Sequence, residues 1–341
     1  MKAAVYRRST GLIIEEAPAP EPGAEFVLIK VANTGFCGSD HSLIESGLLA
    51  DGTILGHEVS GVVTGWGKEV RGMTEGSRVV VRPTFCGQCR DCRMGRPQLC
   101  TGGRRTIGIG DMPGAFAEYV KVHPQMVIPV PEGVDSRNAA LAEPFASALH
   151  GIRASGSRGG SALVMGGGPI GLAAVGLLKL LGFAPIALSE PLKTKRNLGK
   201  LFGADHSLDP LTGDLRQASR EWTGGVGFEA ILECSGVAEN VPLAFELVAT
   251  GGSVCMISIL FKGITLSQPM AMNFKEFRFT ASYSNTHEEN RECLGWMATG
   301  AIDARPLVSD LIGLEELPCI YRERIHPGKA VKTMLQIGDE F

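Results

Sequence analysis

The stretch Ala162-Leu163-Val164-Met165-Gly166-Gly167-Gly168-Pro169-Ile170-Gly171 decides the architecture of the later part of the chain. Its first four apolar residues read as a short buried strand, and Ile170, Ala173, Ala174, Leu177, Leu178 and Leu181 then recur at helical spacing. Between strand and helix lies Gly166-x-Gly168-x-x-Gly171. Gly166 permits a tight turn, Gly168 lets the backbone approach a pyrophosphate, and Gly171 lets the helix pack closely on the sheet. The next apolar run, Pro185-Ile186-Ala187-Leu188-Ser189, ends on Glu190, a carboxylate placed to accept from ribose hydroxyls. A lone glycine triplet says little. With a strand before it, a helix after it and the carboxylate following, it predicts a dinucleotide site whose pyrophosphate sits at a helix N-terminus.

Working outward, Ala230-Ile231-Leu232-Glu233-Cys234 and Ser253-Val254-Cys255-Met256-Ile257 each follow a helical or turn segment. Alternating strands and helices predict a doubly wound parallel sheet. The earlier residues have a different texture: Val27-Leu28-Ile29-Lys30-Val31, Gly61-Val62-Val63-Thr64-Gly65, Arg78-Val79-Val80-Val81 and Ala117-Glu118-Tyr119-Val120-Lys121-Val122 are short β-branched runs punctuated by Gly and Pro. They predict an antiparallel β domain. A chain of 341 residues exceeds what one core usually holds. Residues 152–160 form a Gly, Ser and Arg linker, so the expected domains are residues 153–285 and residues 1–152 joined by 286–341. After Tyr283 the pattern turns helical and irregular, and this tail is expected to return to the first domain.

A composition of 44% hydrophobic and 20% charged residues with a net charge of −3 gives no electrostatic footprint for nucleic acid. The cluster Lys193, Lys195, Arg196 and Lys200 reads as a solvated helix face. Residues 159–178 carry no charge, but Gly166-Gly167-Gly168-Pro169 in their midst argues against a membrane span. No long apolar run follows Arg7 and Arg8, so no secretory signal is expected. Nine cysteines, partly assigned to metals below and otherwise scattered, suit a reducing compartment, and the expected location is cytoplasmic.

Cys86-x2-Cys89-x2-Cys92-x7-Cys100 gathers four thiols within fifteen residues. Zinc takes four thiolates at about 2.3 Å each, and thiols two residues apart reach one ion far more readily than disulfide geometry. Four protein ligands leave no open position, so this predicts a structural zinc. Outside it, Cys37-Gly38-Ser39-Asp40, Gly56-His57-Glu58 and Ala142-Glu143-Pro144 supply a thiolate, an imidazole and carboxylates. One Cys, one His and one Glu with water in the fourth place is a ligand set of catalytic zinc. Spacing alone leaves other readings open: Cys37 as a small core residue, His57 as a hydrogen-bonded core histidine, Glu143 as a helix N-terminal charge.

Taken in order, these motifs resemble the zinc-dependent medium-chain dehydrogenase/reductase family, the alcohol dehydrogenase superfamily, over essentially the whole chain. The Gly114-Ala115-Phe116-Ala117-Glu118-Tyr119-Val120 strand falls in its place among them. Glu143-Pro144 and Ser189-Glu190-Pro191 look like the sorbitol, threonine and butanediol dehydrogenase branch. The resemblance implies a GroES-like β domain, a Rossmann domain, and one catalytic and one structural Zn2+ per chain. It implies hydride transfer between a small-molecule secondary alcohol (a polyol, a diol or a cyclic hydroxy compound) and nicotinamide C4. Cys37 and His57 would hold the catalytic zinc with Glu58 and Glu143 close by. Ser39 would hydrogen-bond the substrate oxygen, and Asp40 would orient His57. Gly166, Gly168, Pro169, Ile170, Gly171, Glu190, Lys195, Arg196, Cys234 and Ser235 would face the cofactor. Glu190 repels a 2′-phosphate, which favours NAD over NADP, although Lys193, Lys195 and Arg196 follow closely. An edge near Gly263-Ile264-Thr265-Leu266-Ser267 would pair subunits into a homodimer or homotetramer.

The chain departs from the family pattern at two places. Many members carry a histidine five residues after the catalytic cysteine, where this chain has Ser42, with His41 one residue early and its ring expected to point elsewhere. Arg82 precedes the cysteine lobe. It reads as a surface arginine, with contact to an anionic substrate group as the other reading. Phe85, Phe116, Phe145 and Leu48 suggest apolar pocket walls. Competing functions are an NADP-dependent aldehyde or ketone reductase of the same family, a zinc-stabilised nucleic-acid or protein-binding module, and a member that binds nucleotide without catalysis. The acidic charge and the second ligand set speak against the last two.

Overall fold

Residues 1–102, 106–109, 112–267 and 269–341 are described by a computed structural model of the chain. Val27–Gly35 and Glu58–Trp66, two nine-residue strands, pair antiparallel inside a seven-stranded sheet. Its order runs Val308–Gly313, Lys332–Gln336, Val27–Gly35, Glu58–Trp66, Arg78–Val81, Val127–Pro129, with Tyr119–Val122 also on Val27–Gly35. Period-two alternation turns Val27, Ile29 and Val31 inward onto Val59, Val63, Val79, Val81, Val120 and Val122, where β-branched side chains fill one core. A smaller sheet, Gly11–Glu16, Lys2–Arg7 and Thr53–Ile54, closes a second core around Leu55, Phe116 and Leu335.

The other sheet is wholly parallel, in the order His206–Leu208, Ile186–Ser189, Ala162–Met165, Phe228–Glu233, Val248–Met256, Arg278–Ala281. The chain enters at Ala162–Met165 in the middle, builds outward on one side, then returns to build the other. That reversal opens a crevice at the carboxyl ends of the strands, beside the glycine loop. Ala162–Met165 and Ile186–Ser189 are buried at every residue, the pattern of strands covered on both faces rather than one.

The chain divides into two compact units, Met1–Glu143 with Asn285–Phe341, and Pro144–Ser284. The break falls after Glu143, inside helix Ala142–Ser155, and not in the glycine-rich stretch at 152–160. Phe145, Ala146, Ala148, Leu149 and Ile152 bury an apolar stripe along that helix, so it runs on unbroken. The tail differs from its expected irregular texture. Val308–Gly313 and Lys332–Gln336 are strands, and the second pairs antiparallel with Val27–Gly35. Among the described residues no helix is long and apolar enough to cross a membrane.

Candidate metal centre and cofactor cradle

Helix Gly38–Ser46 starts from Cys37 in extended conformation, and the residue three positions on, Asp40, caps it in return. Asp40 Oδ2 accepts the Cys37 N–H at 2.9 Å, while Oδ1 lies 3.3 Å from His57 Nδ1 and 3.4 Å from the Gly56 amide. One carboxylate, 0% exposed, thus fixes both the segment carrying the thiol and the segment carrying the imidazole. Burial works to lower the His57 pKa, but the charge and hydrogen bond of Asp40, with help from Cys37, raise it well above its ordinary value. Its Nε2 faces Ser39 Oγ at 3.4 Å.

Glu58 follows His57 and points into the same interior. Lys332 Nζ donates to both of its carboxylate oxygens at 2.6 Å and to the Phe36 carbonyl at 3.1 Å, with lysine and glutamate side chains each 1% exposed. Gly35 lies opposite, and a Cβ there would strike the Glu58 carboxylate. Ligand atoms of Cys37, His57 and Glu58 lie within 4.8 Å of one another. Glu143 stands outside that triplet but close enough for its charge to be felt there. Burial pushes its carboxyl up, His57 opposes this and Glu58 adds to it. Asn285 Nδ2 donates to Glu143 Oε1 at 2.8 Å, and Asn290 Nδ2 donates to Asn285 Oδ1 at 2.7 Å. A thiolate, an imidazole and carboxylates, one of them costly to ionise in its buried place, form a donor set that suits a borderline-soft divalent cation such as Zn2+.

Cys86, Cys89, Cys92 and Cys100 form a second cluster of possible ligands. Cys86 and Cys92 sulfurs lie 3.8 Å apart and those of Cys89 and Cys100 3.9 Å apart. A tetrahedron with bonds of about 2.3 Å has edges of about 3.8 Å, whereas a disulfide measures about 2.05 Å. All nine cysteines are free thiols. Backbone N–H groups of Cys92 and Thr101 pull the Cys89 thiol down to about 5, while burial pushes the Cys92 thiol up and the Cys100 thiol up to about 12.

Arg82 is not on the surface. It is 0% exposed, because its backbone N–H bonds to Met126 O at the end of a core strand and its side chain turns inward, Nη2 donating to the Thr84 carbonyl. Burial lowers its pKa to about 10, opposed by Cys92, Cys100 and Glu143, and its Nε and Nη1 are buried with no hydrogen-bond partner. The aromatic residues named above each have a local partner. Phe116 stacks on Phe36 at 5.5 Å, and Phe145 is wholly buried in the second unit with Phe202 at 6.5 Å. Phe85 packs against His123 at 4.6 Å, and Leu48 is 82% exposed. Large aromatic rings gain most by full burial, and Phe116 and Phe145 have taken it.

In the second unit, Gly166 has φ +100°, and a Cβ on it would meet Ser235 at 2.8 Å. A Cβ on Gly171 would strike the Gly166 carbonyl. Gly168, the N-cap of helix Pro169–Leu180, has no atom within 4 Å of its Cβ position. The loop is therefore closed on its protein side and open at Gly168, where helix N–H groups await an anion. Pro169 occupies the first helical turn, Ile170 is half-buried behind it, and Cys234 N–H bonds to Met165 O at 2.8 Å, bringing Cys234 and Ser235 to the same strand ends. Glu190 Oε2 accepts from the Gly167 N–H at 2.7 Å and Oε1 from the Leu192 N–H at 2.9 Å. Arg196 folds back, donating to the Glu190 carbonyl at 2.7 Å and lying 3.6 Å from Asp209, while Lys195 is half-buried.

Two residues at the metal centre carry no motif. Lys332 is a lone cation in the apolar run Val331-Lys332-Thr333-Met334-Leu335, the one sequence signal for it. Asn285 has no comparable mark.

Comparison with known proteins agrees with this geometry. The family described as "Alcohol dehydrogenase GroES-like domain" matches residues 23–132, and "Zinc-binding dehydrogenase" matches residues 169–299. The chain is 30% identical to 2-dehydro-3-deoxy-L-galactonate 5-dehydrogenase of Pseudoalteromonas atlantica, over 100% of both chains. It is 32% identical to sorbitol dehydrogenase of Halalkalibacterium halodurans, over 98% of this chain and 99% of that one. A zinc-binding dehydrogenase from Sinorhizobium meliloti, solved with NADP, superposes with a TM-score of 0.89 at 33% identity over 98% of each chain. The chain belongs to the zinc-dependent medium-chain dehydrogenase/reductase family, the alcohol dehydrogenase superfamily, and is an oxidoreductase that uses zinc and a nicotinamide cofactor to act on an alcohol.

Proposed function

We propose that the protein oxidises a secondary alcohol of the polyol or hydroxy-compound class with NAD, using one Zn2+ at Cys37, His57 and Glu58 with Glu143 beside it, and a second at Cys86, Cys89, Cys92 and Cys100. The observation that carries this is the convergence of Cys37, His57 and Glu58 around a helix start fixed by Asp40. Bound Zn2+ supplies a Lewis acid that lowers the pKa of an alcohol hydroxyl, and NAD supplies the hydride acceptor. The chain's own residues do the rest. Asp40 Oδ1 stands 3.3 Å from His57 Nδ1 and leaves Nε2 facing Ser39. Ser39 Oγ takes a hydrogen bond from the substrate hydroxyl and passes its proton to water, while the carbon loses hydride. Lys332 pairs with both oxygens of Glu58, so that neither side chain is an unpaired charge in a dry interior. Asn285 holds Glu143 by one oxygen.

The glycine loop would seat the pyrophosphate, and Glu190 would accept from the adenosine ribose. Two backbone N–H bonds hold this carboxylate in its place, and Arg196 is turned onto carbonyls and Asp209, which supports NAD over a cofactor bearing a 2′-phosphate. Nine cysteines without a disulfide among them suit a reducing, cytoplasmic setting. A homodimer or homotetramer is supported by the edge strand Arg278–Ala281 and by exposed Ile264, Leu266, Phe274 and Phe279 near it. Light scattering checks this, and a monomer at micromolar concentration contradicts it.

The test of the reaction is NADH formation across secondary alcohols, diols, polyols and hydroxy acids, with NADP in parallel. Cys37→Ala or His57→Ala is expected to abolish turnover with NAD binding retained. Appreciable turnover in either variant overturns the metal assignment, and a clear preference for NADP overturns the role of Glu190.

A further inference from the structure

A second group of metal-capable side chains lies at the other end of helix Gly38–Ser46. His41 and Glu45 sit four residues apart on one face of that helix, and His326 follows the helical turn Tyr321–Ile325. Ligand atoms of the three lie within 4.8 Å of one another. His326 Nδ1 is 3.3 Å from Glu45 Oε1, and the His41 and His326 rings meet edge to face with centroids 5.6 Å apart. Two donor atoms on one Zn2+ at bonds of about 2.0 Å stand about 3.3 Å apart in tetrahedral geometry.

Tyr321 orders the group. Its hydroxyl donates to Glu45 Oε1 at 3.0 Å and lies 3.1 Å from His41 Nδ1. A phenol has one proton, and Glu45 takes it, so His41 Nδ1–H must donate to Tyr321. In its neutral form His41 then carries its proton on Nδ1, and the other ring nitrogen keeps the lone pair a metal uses. Burial and the neighbouring His326 both favour the neutral ring, against the opposing pull of Glu45. An imidazole held by an oriented hydrogen bond, a second imidazole and a carboxylate make a partly open site, with positions left for water.

We propose that His41, Glu45 and His326 bind one divalent transition-metal ion of the Zn2+ class at the protein surface, with Tyr321 as their positioning residue. None of the three is a ligand in the two sites described above, and the helix that carries two of them also carries Ser39 and Asp40. An ion bound here joins that helix to the C-terminal segment.

The test is calorimetric titration of zinc-loaded full-length protein with Zn2+, with thermal unfolding followed at each addition. One further equivalent is expected to bind, with an unfolding temperature that rises with free Zn2+ as a ligand of the folded state requires. His326→Ala, at an exposed position, is expected to remove that equivalent and the rise while leaving the tightly held zinc content unchanged. Tyr321→Phe is expected to weaken it by roughly 10- to 100-fold, the usual cost of losing a partner that orients a ligand. Absence of a further equivalent in the wild type, or one that survives both His326→Ala and His41→Ala, overturns the proposal.

Discussion

Asn285 shows how much of the metal centre is decided by side chains that bear no ligand atom. Its amide holds one oxygen of Glu143 at 2.8 Å, and Asn290 holds Asn285 in turn. Asn285→Leu is expected to lower kcat by roughly 10- to 100-fold through a misdirected Glu143, with NAD affinity unchanged in a binding assay. A variant as active as the wild type contradicts the role. Such residues were not legible in the sequence, and the reason is distance along the chain. Lys332 meets Glu58 across 274 residues, and Asn285 meets Glu143 across 142. Cys37, His57 and the four-cysteine run could be read because each lies in a local motif; their partners cannot, since any asparagine or lysine has the same chemistry before the chain is folded. Arg82 failed for a related reason. Arginine is mostly exposed, and only the burial of its strand end places this one inside.

At the scale of elements, the glycine loop is held by contacts that tolerate no added carbon. Gly171→Ala drives a methyl into the Gly166 carbonyl, so the helix must move from the sheet. Overpacking of this kind costs about 1–3 kcal/mol, seen as a lower unfolding temperature and a raised KM for NAD. Wild-type values for both would contradict the close approach. Helix His287–Ala298 gives a pH test. Burial, Arg82 and Arg291 push the His287 pKa from 6.5 down to about 4, with a backbone bond at Val127 opposing. The unfolded chain then binds the proton that the folded one refuses, so stability is full above pH 6.5 and falls as pH drops toward 4. His287→Gln is expected to flatten that part of the profile in urea unfolding between those limits; an unchanged slope contradicts it. The elements themselves were legible where the apolar pattern was clean, in the β-branched run of Val27–Gly35 and the unbroken apolar run of Ala162–Met165. The tail strands were not, because Lys332–Gln336 opens with a buried lysine and pairs with residues near the start of the chain.

For the whole molecule, two architectures divide the work. One unit, built mostly on antiparallel strands, holds the candidate metal ligands, and the other, built on a parallel sheet, holds the glycine loop and the helix that follows it. The order of motifs along the chain made both readable, while the break inside helix Ala142–Ser155 was hidden, since an unbroken apolar stripe carries no mark of a boundary. The most direct measurement is zinc content against turnover during timed chelation. The protein is expected to start with two zinc ions per chain, to lose NAD-dependent alcohol oxidation in step with the first, and to recover it when Zn2+ is returned, with NAD binding intact throughout. Full turnover after that ion is gone would contradict a metal centre at Cys37, His57 and Glu58.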